Sequence, residues 1–168
     1  GTTHLAYKPE HAVDLDTGVI VAARIHPADQ GDTRSLAATL EQAEAMLDLV
    51  GRAPTPETPA EMITDKGYHA RDVLKDLEDS AWKSRISEKE RKAFARWQGD
   101  AAARRYNNWA RLKSTVARQA FKLRAEKVER SFAFILDIGG LRRTWLRGVE
   151  NVEKRYLVAA HNLVIRQR

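Results

Sequence analysis

The 168-residue chain contains no cysteine, which excludes a disulfide framework, thiolate zinc sites and a cysteine nucleophile. Proline (5) and glycine (9) are too scarce for a low-complexity linker protein. Long apolar runs are missing as well. A stretch such as Gly18-Val19-Ile20-Val21-Ala22-Ala23 falls far short of the roughly 18 to 20 apolar residues that cross a bilayer, so no membrane span is expected. The first residues hold no basic segment followed by an apolar one, and no signal peptide is expected. The chain opens Gly1-Thr2-Thr3, without an initiator methionine, and reads as a piece of a longer protein. There is no glycine-rich phosphate loop, no His-x-x-x-His zinc pair and no serine in a nucleophile elbow. What remains is a soluble composition, 43% apolar and 31% charged, long enough to bury a core.

The net charge of +6 conceals an asymmetry. Residues 1–81 carry 7 Lys/Arg against 15 Asp/Glu, residues 82–130 carry 15 against 5, and residues 131–168 carry 7 against 3. An acidic first half followed by a basic second half suggests an anionic partner for the latter. Trp82, Phe94, Trp97, Tyr106, Trp109 and Phe121 interleave with the basic residues of this second half. Two readings fit. Lys and Arg can neutralise phosphates while aromatic faces stack on exposed bases. Alternatively, an amphipathic helical pair keeps its aromatics in a core and its charges in water.

Periodicity predicts a β-hairpin over 4–15 and 18–26, joined by the turn Asp14-Leu15-Asp16-Thr17-Gly18, with Pro9 at an edge or bulge. A helix follows over 33–50, capped by Asp32 or Thr33, with Leu36, Leu40, Ala43, Leu47 and Val50 on one stripe and Gly51 as its stop. Residues 52–60 hold three prolines and form a loop. A strand is expected over 61–64, a helix over 70–79 and a strand over 81–87. Residues 90–118 are helical with a break at Gly99. Further helices span 121–136, stopped by Gly139-Gly140, and 149–166, with Val152, Tyr156, Ala160 and Leu163 on one face. There is no internal repeat. Strands first, then mixed elements, then helices describe a layered α/β or α+β domain.

Two carboxylates occupy places where chemistry collects. Asp65 directly follows an apolar strand and precedes a glycine turn. Carboxyl ends of strands gather ligand chemistry in α/β folds, although an aspartate there also serves as an ordinary turn residue. Glu129 follows Val128 on the stripe of the 121–136 helix. It can face a sheet, or pair on the surface with Arg130, Lys122 or Lys127. Trp145 is expected in the core, His69 at a helix entry, and His161 partly buried and satisfied.

Four segments in order carry a resemblance that covers nearly the whole chain. They are His4-Leu5-Ala6-Tyr7-Lys8 through Asp14, then Thr64-Asp65-Lys66-Gly67-Tyr68-His69, then Leu123 through Ala133 around Glu129, and Gly139-Gly140-Leu141-Arg142-Arg143-Thr144-Trp145-Leu146-Arg147-Gly148 with the tail beyond it. Together they resemble bacterial insertion-sequence DDE transposases. The resemblance is weakest over 82–120. It implies an RNase H-like α/β catalytic domain, a mixed sheet flanked by helices, occupying residues 1–168, with 82–120 as a basic, aromatic-rich helical insertion. It implies metal-dependent cleavage and strand transfer of double-stranded DNA at transposon ends. Asp65 and Glu129 would be the second and third acids, sharing two Mg²⁺ (or Mn²⁺) ions. Lys66, Arg124, Arg130, Arg142, Arg143 and Arg147 would contact DNA. It further implies a homodimer on DNA and a cytoplasmic, nucleoid-associated location. The family's first acid has no counterpart here, since Asp14 and Asp16 fall in the expected hairpin turn. The domain is therefore expected to be incomplete at its N-terminus and inactive by itself, and a remnant that only binds DNA or dimerises is the alternative.

Overall fold

The computed structural model describes residues 7–89 and 97–166, and the side chains of all of these except 162–166. The chain forms two compact units, one of residues 1–51 with 123–168 and the other of residues 52–122. The fold is mixed α/β. Among the described residues its four strands make two separate two-stranded sheets, one in each unit, where the sequence suggests a single mixed sheet.

In the first unit, β1 (Tyr7–Val13) and β2 (Ile20–Pro27) pair antiparallel. The connecting turn closes on Asp14. Its carbonyl accepts from Gly18 N at 2.7 Å, and its carboxylate accepts from Asp16 N and the Thr17 hydroxyl at 3.2 and 2.6 Å. This is the Asx chemistry expected of the segment. The register shifts at Ala12/Val13, so the bulge lies beyond Pro9. Strand alternation gives the hairpin two different faces. Ala23 and Ile25 face the core with Ile135, Val152, Tyr156, Ala159 and Ala160. Lys8 and Glu10 face helix α1 (Asp32–Asp48).

The buried residues of α1 are Ser35, Leu36, Thr39 and Ala43, not the purely apolar stripe expected, and Val50 is exposed. The hydroxyls explain the difference. Glu10 is buried, and Ser35 and Thr39 each donate to its carboxylate at 2.5 Å. Lys8 Nζ lies 4.0 Å from the same carboxylate and donates to Asp32 Oδ1 at 2.8 Å. The N-cap is Gly31, with no side-chain hydrogen bond, because Asp32 is engaged by Lys8. Gln42 Oε1 accepts from Ala23 N at 3.0 Å, satisfying an amide on the open edge of β2.

In the second unit, β3 (Ala60–Thr64) and β4 (Trp82–Ile86) pair parallel. A 3₁₀ turn (Lys66–Tyr68) and α2 (Arg71–Glu78) connect them, and Val73, Leu74 and Leu77 bury the helix's apolar stripe. Helix α3 (Gly99–Leu112) then completes the open edge of β4 with side chains. Asn108, fully buried, accepts from Ile86 N and donates to Ile86 O, both at 2.9 Å, and Arg111 Nε donates to Ser84 O at 2.8 Å. Gly99 opens this helix, and the helical expectation over 90–96 lies outside the described residues. A further break falls at Lys113–Ser114, where Ser114 Oγ accepts from Ala117 N at 3.1 Å and caps α4 (Thr115–Ala133).

Helix α4 ends in the first unit and continues as a π turn (Phe134–Ile138). Gly139 and Gly140 stop it as expected. A Cβ at Gly139 would stand 2.3 Å from the Ile135 carbonyl oxygen, and Gly140 takes φ +66°, both conditions that only glycine meets without strain. Helix α5 (Val149–Arg166) matches its expected span. Val152, Tyr156 and Ala160 are buried, and the expectation for Leu163 lies outside the described side chains.

Candidate functional site

Asp65 stands directly after β3 and opens the 3₁₀ turn, its Oδ1 accepting from Gly67 N at 2.8 Å. The turn explains the local sequence. The carboxylate folds onto the second amide beyond it. Asp65 and Lys66 are both exposed. Because β3 and β4 run parallel, the residues after β4 emerge at the same end, and Ser87 N donates to Thr64 O at 3.1 Å.

That end carries a polar cluster within the second unit. Glu88 Oε1 lies 3.2 Å from His69 Nε2, and Glu88 Oε2 accepts from Arg105 Nε and Nη2 at 3.0 and 2.8 Å. His69 is buried, and burial lowers its pKa while the Glu88 carboxylate opposes that shift. Trp97 packs 5.5 Å from the His69 ring, with Arg71 over its own ring at 5.3 Å. Sequence reasoning missed Glu88. The available signal was the one that picked out Asp65, an acid just beyond the last apolar residue of a strand. His69 follows the 3₁₀ turn and precedes α2, the helix-entry position expected of it.

Glu129 lies on α4 in the first unit and is exposed, as is Arg130, while Arg124 is half-buried. The buried line of this stretch passes through Ser131 and Ile135, with Phe132 stacked at 3.7 Å on His11. His11 ties three elements together. Its Nδ1 lies 2.7 Å from Tyr156 Oη and its Nε2 lies 2.8 Å from Ser131 Oγ, which donates to Val128 O at 2.8 Å. With the serine hydrogen directed at Val128, His11 carries its proton on Nε2 and accepts from Tyr156. Burial holds the His11 pKa at about 4, well below the ordinary range of a histidine, and raises that of Tyr156.

Arg142 is paired with Asp137, while Arg143 and Arg147 are exposed. Trp145 does not enter the core. It is 79% exposed, with the Arg155 guanidinium 4.8 Å from its ring centre. His161 is exposed rather than partly buried. The aromatics of the basic stretch divide between the two readings offered for them. Trp82 is buried, Trp97 and Phe121 are half-buried, Tyr106 and Trp109 are exposed with Lys113 Nζ 3.4 Å from the Trp109 ring centre, and Phe94 lies outside the described residues.

An acid exposed at the carboxyl end of parallel strands is an arrangement used for ligand and metal chemistry in α/β proteins. Residues 1–165 match the family described as "Transposase DDE domain", and the chain belongs to that family. Neither the curated proteins nor the solved structures give a match. Membership ties the chain to DNA transposition and recombination, and to the divalent-metal chemistry general in this family. Among the described residues, however, no group of three or more His, Asp or Glu side chains could hold a metal ion. Asp65 and Glu129 belong to different units. No complete metal site is present among the described residues alone. No helix among them is long and apolar enough to cross a membrane.

Proposed function

We propose that the chain is the catalytic region of a bacterial insertion-sequence transposase with an RNase H-like fold. In this reading it cuts and rejoins double-stranded DNA at transposon ends. The supporting observation is the position of Asp65, at the carboxyl end of β3 and within a family match that spans nearly the whole chain. Asp65 and Glu129 act as the second and third acids of a site that takes Mg²⁺ or Mn²⁺, hard cations suited to carboxylate oxygens. Neither Asp14 nor Asp16 is assigned the first acid, because both sit in the β1–β2 turn and Asp14 already accepts two hydrogen bonds there. Lys66, Arg124, Arg130, Arg143 and Arg147 contact phosphates, whereas Arg142, also expected on DNA, is engaged by Asp137. The basic stretch 82–120 adds to this contact through Arg104, Lys113 and Arg118, since Arg105 and Arg111 are engaged by Glu88 and Glu78. The protein works as a homodimer on nucleoid DNA in the cytoplasm. Asp65→Asn and Glu129→Gln, made in the full-length transposase, abolish cleavage of an end-bearing duplex and leave its binding intact. Cleavage by either variant within a few-fold of wild type overturns the assignment.

A second reading, a module that binds DNA or dimerises without chemistry, is supported by the exposed arginines around Trp145 and needs no carboxylate site. Under it, affinity falls steeply with salt, with a log–log slope of about −0.9 per phosphate contact. A flat response excludes it.

A further inference from the structure

The turn that carries Asp65 is anchored by a residue at its far end. Within the turn, Gly67 N donates to Asp65 Oδ1 at 2.8 Å and His69 N donates to Lys66 O at 3.2 Å. Short exposed segments of this kind open locally at little cost unless a buried side chain ties them down. Asp65 and Lys66 are exposed, whereas the His69 side chain is fully buried. Its Nε2 lies 3.2 Å from Glu88 Oε1, and Trp97 packs tilted against the ring at 5.5 Å. A carboxylate only accepts, so Nε2 carries the hydrogen and donates it to Glu88.

Glu88 is the other half of this anchor. It follows β4 at the end of the parallel pair where Asp65 follows β3. Its Oε1 also accepts from Asn108 Nδ2 at 3.4 Å, and its Oε2 accepts from Arg105 Nε and Nη2 at 3.0 and 2.8 Å. Asn108 is in turn fixed on the backbone of Ile86. A continuous set of bonds therefore runs from helix α3 through Glu88 and His69 to the Asp65 turn. Donors engage both Glu88 oxygens, and Asp65, His69 and Glu88 do not form a group that could hold a metal ion. Glu88 thus holds its neighbours in place and is not a ligand. A partly buried ion pair gains little net stability, because desolvation offsets its attraction. What it does supply is a fixed geometry, and reacting groups must be held to within about 0.5 Å.

We propose that Arg105, Glu88 and His69 are positioning residues, a relay that fixes the Asp65 turn at the carboxyl end of β3 so that the carboxylate meets the DNA backbone in one geometry. The proposal rests on the assignment of Asp65 above and adds the residues that hold it. The test uses the full-length transposase and an end-bearing duplex. Single-turnover cleavage at saturating protein reads the chemical step, and a separate titration reads binding. Glu88→Ala and His69→Leu slow cleavage roughly 10- to 100-fold and leave duplex affinity unchanged. The double variant is no slower than the slower single one, because both residues act through one bond. His69→Gln keeps an N–H toward Glu88 and restores most of the rate. Amide hydrogen exchange gives a readout independent of activity: residues 65–70 exchange faster in Glu88→Ala and His69→Leu, while β3 and α2 do not. Wild-type cleavage rates in both variants, beside an inactive Asp65→Asn, overturn the relay alone. Faster exchange throughout the second unit, or His69→Gln as slow as His69→Leu, also overturns it. An active Asp65→Asn overturns the relay together with the assignment beneath it.

Discussion

Acid should weaken the first unit, with His11 as the largest contributor. The imidazole is buried between Tyr156, Ser131 and Phe132, and its pKa falls to about 4 because burial penalises the charged ring. An unfolded histidine titrates near 6.5. Between these two values the unfolded chain binds the proton and the folded chain does not. Stability is therefore fully present above pH 6.5 and is lost as the pH falls toward 4. The 2.5-unit gap corresponds to about 3 kcal/mol in all, of which about 2 kcal/mol is lost between pH 7 and pH 5. Protonation also undoes the hydrogen-bond pattern, since a cationic ring can no longer accept at Nδ1 from Tyr156. The assay is urea unfolding at pH 7, 6 and 5, followed by far-ultraviolet circular dichroism and extrapolated to water. His26 and His69 also have lowered values and push in the same direction, so the informative comparison is with His11→Gln, which retains hydrogen bonding and cannot titrate. The variant should be less stable at pH 7, yet its stability should fall by about 2 kcal/mol less than that of wild type between pH 7 and pH 5. Parallel pH profiles for the two proteins would refute the reasoning.

Asn108→Ala leaves the amide and carbonyl of Ile86 buried without their partners and should cost about 2 to 4 kcal/mol in denaturant melts, whereas Asn107→Ala, at an exposed site, should cost under 1 kcal/mol. Ser35→Ala and Thr39→Ala each remove a hydroxyl from the buried Glu10 carboxylate and should each cost about 1.5 to 3 kcal/mol. Combining them should fall short of or exceed the sum, because both hydroxyls serve one charge, and a thermodynamic cycle on the four proteins reads that coupling.

The expected elements were legible because their signals are local. The Asp14–Gly18 turn, the Val73, Leu74 and Leu77 stripe, the strands flanking it and the full span of α5 all follow from spacing and turn chemistry that depend on a few neighbouring residues. Departures arose where a distant partner changed a residue's role. Asp32 does not cap α1 because Lys8, 24 positions earlier, takes its carboxylate. The apolar stripe expected on α1 gives way to one containing Ser35 and Thr39, because Glu10 on β1 needs their hydroxyls. Trp145 looks like a core residue in sequence, but the leucines beside it take the buried places and leave the indole outside.

The candidate site divides along the same line. The sequence by itself determined that an acid follows the first strand of the second unit, that another sits on a long helix, and that the second half of the chain is basic, because residue identity and short-range order are enough for such statements. Only the tertiary structure decided that Glu88 joins His69 and Arg105 at the carboxyl end of the parallel strands, and that Asn108 completes the edge of β4. It likewise decided which arginines are occupied and which remain available to an anion. In the second unit those outcomes depend on contacts between residues 17 to 33 positions apart, and no local pattern encodes a partner at that separation.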